Sequence, residues 1–134
     1  MTRRESRESA FALAYELSVN EMTLDELLEV SGESQDINVD DFAISILDYL
    51  INNKDYIDGL IKPHLRNWTI ARIPKVLLAI IRISCVQMVY FEDLSDNIII
   101  NEAVELSKKF GDDEDYSFVN GVLGHISSEI QKES

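Results

Sequence analysis

The sequence predicts an all-α protein. Hydrophobic residues make up 46% of the 134 residues and charged residues 28%, a balance typical of soluble globular proteins. The five glycines and two prolines are too few for an all-β sandwich, which needs a turn about every 8 to 12 residues. Apolar residues recur at the helical intervals of three and four. We therefore expect long helices in a single helical domain that spans residues 1–134 around one core.

The first predicted helix covers residues 3–18. Thr2 and Glu5 have the spacing of a capping box, which marks the start of a helix. A short acidic helix is expected near residues 23–31. The polar stretch 31–38 then predicts a surface loop.

A long amphipathic helix is predicted over residues 39–62, because apolar residues follow the helical period up to Pro63. Pro74 fits the first turn of the next helix, which we expect to continue to about residue 91. That helix is apolar almost all round, apart from Arg82 and a few uncharged polar residues. A helix of this composition belongs in the middle of a bundle.

The fifth predicted helix ends at Gly111, which we expect to act as its C-terminal cap. Glu105 and Lys109 have the spacing of an ion pair on one helical face. Its apolar stripe predicts the buried face, which consists of Ile99, Ala103, Leu106 and Phe110.

The last predicted helix begins in the acidic run 112–115, which is favourable beside a helix N-terminus. Gly121 and Gly124 lie in its interior, where each glycine costs about 1 kcal/mol relative to alanine. We expect them to allow another backbone to come close. The predicted buried stripe consists of Val119, Val122, Ile126 and Ile130.

The net charge of −13 argues against unaided binding to nucleic acid or to anionic lipid. The charge is uneven, however, because residues 62–82 contain no acid. This stretch is a candidate protein-partner surface. Its basic residues are Lys62, Arg66, Arg72, Lys75 and Arg82.

The single cysteine, Cys85, excludes an internal disulfide, and its apolar neighbours predict an inert core thiol. No apolar segment follows the N-terminal arginines as a secretory signal requires. The apolar run 76–91 contains Arg82 and is shorter than the roughly 20 residues that span a bilayer. We therefore expect a cytoplasmic protein without a membrane partner.

Residues that carry catalysis are scarce. The histidines are His64 and His125, and no metal-binding or nucleotide-binding motif is present. The acidic run 112–115 lacks the alternating ligands and central glycine of a calcium loop. We expect neither an enzyme nor a bound metal or cofactor.

The first helix carries a combination of bases and aromatic rings. Arg4, Arg7, Phe11 and Tyr15 fall within an arc of about 80° on a helix, and Arg3 lies beside them. Guanidinium groups suit phosphates, and exposed rings stack on single-stranded bases. The alternative is a solvated N-terminus with Phe11 in the core, and composition alone leaves both open.

Two C-terminal strings, INEAVELSKKFG at 100–111 and FVNGVL at 118–123, resemble the signature of the NusB transcription antitermination family. The arginine-rich opening RRESRE at 3–8 is similar to that family's N-terminus. The resemblance covers essentially the whole chain. The sequence departs from the family pattern at Ser95, where proline is common, and at Val86–Gln87, where Tyr-Glu is usual.

The resemblance implies two packed three-helix bundles, about seven helices in all, and no catalysis. It implies an RNA-binding factor that pairs with the ribosomal protein NusE on boxA-type single-stranded RNA in ribosomal RNA transcripts. Other Nus factors of the transcription elongation complex are implied partners, and a homodimer is possible. The rival interpretation is a protein-only helical scaffold or homodimer that binds no RNA.

The resemblance also implies the site. The arginine-rich first helix is expected to contact RNA, whereas Phe118 either faces RNA or fills the core. The candidate RNA-binding residues are Arg3, Arg4, Arg7, Tyr15 and Phe118.

Overall fold

The structure, a computed structural model, describes the backbone of residues 1–34 and 39–133 and the side chains of residues 1–29 and 39–131. Within these residues it contains seven α-helices, one short 3-10 turn and no strand, which confirms the predicted fold class. The helices are α1 Arg3–Val19, α2 Leu24–Ser34, α3 Asp41–Asn52, α4 Lys54–Ile61, α5 Lys75–Tyr90, α6 Asp96–Phe110 and α7 Asp115–Glu133, and the 3-10 turn is Lys62–His64.

The helices form the two expected three-helix bundles. Helices α1, α2 and α3 pack together, as do α5, α6 and α7, and α5 also packs against α1 and α3. Every residue from Leu77 to Met88 on α5 is buried. Its polar side chains there are hydrogen bonded, Ser84 Oγ to the Ile80 carbonyl at 2.8 Å and Gln87 Nε2 to the Ile83 carbonyl at 3.0 Å. The apolar α5 is the shared centre of both bundles.

The predicted second helix is longer than expected. The backbone of 31–34, predicted as part of a surface loop, continues α2 as helix. The remainder of that predicted loop, 35–38, lies outside the described residues.

The single long helix predicted over 39–62 is wrong, because the chain breaks between α3 and α4 at Asn53. Asn53 has φ −132° and ψ 26°, and its side-chain Nδ2 donates to the Tyr49 carbonyl at 2.9 Å. A short amide side chain that bonds a nearby carbonyl competes with the helical backbone. After the break, α4 is a separate helix that packs against α5.

The break allows α4 to pair with α5 through a buried ion pair. Arg82 Nε donates to Asp58 Oδ1 at 2.9 Å and Arg82 Nη2 donates to Asp58 Oδ2 at 2.8 Å. Only 4% of the Arg82 side chain and 11% of the Asp58 side chain are exposed. Arg82 is therefore a core residue and cannot belong to the basic partner surface suggested for 62–82, whereas Arg66 and Arg72 are exposed.

Gly111 caps α6 as predicted, and its backbone N–H donates to the Ser107 carbonyl at 2.9 Å. The predicted pair between Glu105 and Lys109 is wrong. Glu105 instead lies 3.9 Å from Lys108, and Lys109 pairs with Glu8 of α1. The packing of α6 against another helix, which the local pattern does not contain, decides these partners.

Two expectations for the C-terminal helices also fail. An added Cβ at Gly121 or Gly124 meets no atom within 4 Å, so these glycines do not serve the close backbone contact that we expected. Phe110, predicted to be buried, is 42% exposed. The other residues of the two predicted stripes are buried, except for the half-buried Ile130.

Cys85 is fully buried, and desolvation raises the pKa of its thiol to about 12. The thiol is therefore protonated at neutral pH, which confirms the prediction of an inert core cysteine. No helix in the described part of the chain is long and apolar enough to cross a membrane.

Candidate nucleic-acid interface

A capping box formed by Thr2 and Glu5 fixes the first turn of α1. The Glu5 backbone N–H donates to Thr2 Oγ1 at 3.1 Å, and the Thr2 N–H donates to Glu5 Oε1 at 2.9 Å. Hydrogen bonding from Thr2, first from its backbone N–H, holds the pKa of the Glu5 carboxyl below its usual value. Ser6 Oγ also donates to Asp40 at the start of α3. The arginines that follow Thr2 are therefore presented from an ordered helix start.

Arg4 points from α1 towards α6. Its Nε donates to Glu102 Oε2 at 3.1 Å and its Nη2 donates to Glu102 Oε1 at 3.2 Å. The pair is open to solvent, since 60% of the Arg4 side chain is exposed. The Glu102 carboxylate raises the pKa of Arg4. Such exposed pairs contribute little to stability, so a competing phosphate can replace Glu102 at modest cost.

Arg7 is buried, with 5% of its surface exposed. Its Nε donates to Gln87 Oε1 on α5 at 2.8 Å, and its guanidinium carbon lies 5.3 Å from the centre of the Phe42 ring. Burial lowers the pKa of Arg7. Arg7 nevertheless lines the cleft between α1 and α6. Its charge therefore adds to the electrostatic potential of the cleft, while its side chain also holds α1 to α5.

The cleft between α1 and α6 collects charge from both helices. It has a volume of about 340 Å³, and Lys109 of α6 forms an ion pair with Glu8 of α1 across it. Four cations and three carboxylates surround it, so the cleft is locally positive in a chain of net charge −13. It is lined by Arg4, Arg7, Glu8, Glu102, Glu105, Leu106, Lys108 and Lys109.

Arg3 lies on a different side of α1 from Arg4. Its guanidinium carbon is 4.1 Å from the centre of the Phe42 ring on α3, which is a cation–π contact. Arg3 is exposed, so its remaining face is accessible to solvent. The structure thus directs Arg3 and Arg4 to separate surfaces.

The aromatic residues of the predicted strip also divide. Tyr15 is 39% exposed and lies about 16 Å along the helix from Arg4 at 1.5 Å per residue. Phe11 is buried and stacks on Phe110 of α6, with ring centres 4.8 Å apart. The exposed ring between Arg4 and Tyr15 is therefore supplied by Phe110 from the neighbouring helix.

Phe118 lies in the first turns of α7, half-buried against the core. No ring stack or cation–π contact joins it to the described part of α1. The structure therefore brings Arg4 and Arg7 together at one cleft, with Tyr15 further along the same helix, and leaves Phe118 apart.

Sequence reasoning missed the contribution of α6. Lys109 and Phe110 face α1, and Lys108 Nζ lies 5.2 Å from the centre of the Tyr116 ring on α7. The signal was present as two adjacent lysines and a phenylalanine before Gly111. The periodicity, however, assigned Phe110 to the core and Lys109 to a partner on its own helix.

The side chains that line the α1/α6 cleft are suited to binding anions. No group of three or more potential metal ligands occurs among the residues whose side chains are described. His64 Nε2 lies 2.5 Å from a carboxylate oxygen of Glu129, and its ring stacks on His125 at 5.9 Å. The α1/α6 cleft instead offers guanidinium and ammonium groups, which bind phosphate oxygens.

Comparison with known proteins identifies the family. The NusB family profile matches residues 4–128. The transcription antitermination protein NusB of Oceanobacillus iheyensis is 40% identical over 126 residues, which cover 94% of this chain and 98% of that protein. This chain belongs to the NusB family. A second member, NusB of Bacillus subtilis, is 36% identical over 132 residues, 98% of this chain and 99% of its own length.

Solved structures share the NusB fold of this chain. One chain in a crystal structure of antitermination factors NusB and NusE in complex with dsRNA has a TM-score of 0.82 at 25% identity, covering 95% of this chain and 96% of that chain. One chain in a crystal structure of a plectonemic RNA supercoil has a TM-score of 0.85 at 26% identity, covering 98% of each.

Proposed function

We propose that this chain is a non-catalytic, RNA-binding transcription antitermination factor. It pairs with the ribosomal protein NusE and binds boxA-type single-stranded RNA in ribosomal RNA transcripts, together with other Nus factors of the transcription elongation complex in the cytoplasm. The α1/α6 cleft is the observation that carries this proposal, because it is locally positive in a strongly acidic member of the NusB family.

The RNA-contact residues follow from accessibility and charge. Arg4 and Lys109 are the primary phosphate ligands, since their side chains are 60% and 58% exposed and each pairs with a carboxylate that a phosphate can replace. Phosphate oxygens replace Glu102 and Glu8 as their partners when RNA binds. Tyr15 offers an exposed ring for base stacking. Arg7 contributes its charge from the floor of the cleft, whereas Arg3 and Phe118 lie outside the cleft and are secondary candidates for contact with RNA that extends beyond it.

A requirement for NusE follows from electrostatics. Each phosphate contact on a single strand changes the slope of log affinity against log salt by about −0.7, so the few cations of this cleft give a shallow slope and modest affinity. The net charge of the whole chain is −13, and this excess of acidic residues repels RNA. A basic partner that carries part of the RNA contact removes this repulsion, and the pair binds more tightly than this chain alone.

The test is fluorescence anisotropy with a labelled boxA RNA and a scrambled control, titrated with this protein alone and with its cognate NusE at low and moderate salt. We expect weak binding alone, tighter binding with NusE, and a preference for boxA. Absence of RNA binding in both conditions contradicts the proposal and favours the protein-only scaffold or homodimer.

The strandedness of the RNA is tested in the same assay. A solved complex of NusB with NusE contains double-stranded RNA, whereas stacking on Tyr15 requires unpaired bases. We therefore expect an unlabelled single strand to displace the labelled boxA RNA more effectively than the corresponding duplex. Equal displacement by the two competitors contradicts the proposed use of Tyr15.

A further inference from the structure

A second open groove lies on the α3 side of α1, away from the α1/α6 cleft. It has a volume of about 570 Å³, and four rings form its connected floor. Tyr49 stacks on Tyr90 with ring centres 4.4 Å apart and an interplanar angle of 7°. Phe42 and Phe91 meet edge to face at 5.4 Å, and Tyr49 lies 6.1 Å from Phe91. We call this the aromatic groove.

The rings of the aromatic groove are partly exposed to solvent. Tyr49 is 40% exposed, and the other three rings are half-buried. Four of the eleven aromatic residues of the chain lie here. Clustered, accessible aromatic side chains are typical of interaction sites on soluble proteins. The groove is therefore a surface that a partner can bury.

The charged residues around the aromatic groove indicate which kind of partner it can bind. Asp41 and Asp93 lie at its rim, exposed and without an ion pair among the described residues. The Asp40 carboxylate already accepts hydrogen bonds from the Ala43 backbone N–H at 3.0 Å and from Ser6 Oγ. Among the described residues, Arg3 is the one cation that lines the groove. Its guanidinium already lies on the Phe42 ring, which shows that these ring faces accept a planar cation.

We propose that the aromatic groove binds a basic segment of a protein partner, with an arginine or lysine side chain against the Tyr49–Tyr90 stack and neighbouring basic groups paired with Asp41 and Asp93. The negative rim repels RNA phosphates and attracts such a segment. The two surfaces beside the start of α1 therefore have opposite preferences: the α1/α6 cleft takes RNA, and the aromatic groove takes a basic peptide.

The test follows the side-chain resonances of Tyr49 and Tyr90 by NMR in the full chain, titrated with a short glycine–arginine peptide whose ends are acetylated and amidated. We expect saturable shifts at these rings. The double variant Asp41→Asn/Asp93→Asn is expected to weaken binding about two- to fivefold, as for exposed ion-pair contacts. Asp25→Asn/Glu29→Gln, the same charge change at exposed positions on α2, is the matched control.

A second variant separates ring chemistry from charge. Tyr49→Leu keeps an apolar side chain on α3 but removes the π face, and we expect it to weaken peptide binding while the circular dichroism spectrum is unchanged. Three results overturn the proposal. They are equal shifts with a glycine–glutamate peptide, the same ring shifts with a single-stranded RNA oligomer, and ring shifts that depend on protein concentration alone, which would assign the groove to a second copy of this chain.

Discussion

Two arginines in this chain each donate two hydrogen bonds to one carboxylate, and their surroundings give them different roles. Arg82 and Asp58 are buried between α4 and α5, with 4% and 11% of their side chains exposed. Arg4 and Glu102 join α1 to α6 at the surface, with 60% and 20% exposed. Water screens the second pair and is excluded from the first. The buried pair is therefore structural, and the exposed pair is available to a ligand.

The largest effect is expected from breaking the buried pair. Asp58→Ala leaves the Arg82 guanidinium buried without its carboxylate, which costs about 3 to 5 kcal/mol of stability. Urea unfolding measures this loss as a lower transition midpoint. In the double variant Asp58→Leu/Arg82→Met both charges are removed, and most of the stability should return. A double variant as unstable as Asp58→Ala would show that packing, and not the uncompensated charge, dominates.

Arg7 lies between these extremes, because it is buried but lines the α1/α6 cleft. Arg7→Ala leaves Gln87 Oε1 without its donor, and an unsatisfied buried acceptor costs about 1 to 3 kcal/mol. We expect urea unfolding to show this loss and RNA binding to weaken in the same variant. Arg3→Ala serves as the comparison, since Arg3 is exposed and its removal should leave the unfolding midpoint nearly unchanged.

Removing the carboxylate of the exposed pair should strengthen RNA binding. Glu102→Gln frees the Arg4 guanidinium and removes a repulsive charge from the cleft, and we expect binding to tighten by about two- to fivefold, the range of a surface ion pair. Anisotropy titration measures the change. Glu92→Gln, at an exposed position outside the cleft, makes the same change in net charge. If both variants tighten binding equally, net charge and not Arg4 is responsible.

A smaller effect is expected from the carboxylate that anchors the start of α1. The hydrogen bond from Ser6 lowers the pKa of Asp40 below its ordinary value of 3.8. The stabilisation is therefore present above that value and is lost as the pH falls through the lowered pKa. Asp40→Asn should flatten the acid limb of stability against pH, measured by urea unfolding between neutral pH and pH of about 3. An unchanged acid limb would contradict this assignment.

Whether a feature of this fold could be predicted from the sequence depends on how far apart in the chain its residues lie. The start of α1, the central α5 and the cap at Gly111 are encoded by residues a few positions apart, and all three were predicted. The break at Asn53 depends on one side-chain amide that competes for a backbone carbonyl. Hydrophobic periodicity does not detect such a competition, so it did not predict the break. Packing between distant helices decided the rest, such as the pairing of Lys109 with Glu8 and the exposure of Phe110.

The candidate site was predicted in part for the same reason. Arg3, Arg4, Arg7 and Tyr15 lie together in the sequence, so a helical projection grouped them. The projection could not show that Arg7 is buried, that Arg3 lies on Phe42, or that α6 supplies a second set of cations. These facts depend on which helix covers each side of α1, and no local pattern contains that information.

The most direct test of the central claim is the salt dependence of boxA RNA binding by Arg4→Ala, measured with NusE at saturating concentration. If Arg4 exchanges Glu102 for a phosphate, the slope of log affinity against log salt becomes shallower by about 0.7. Arg72→Ala, an exposed arginine outside the cleft, should leave the slope unchanged. An unchanged slope for Arg4→Ala, or an equal change in both variants, would contradict the assignment of the α1/α6 cleft as the RNA site.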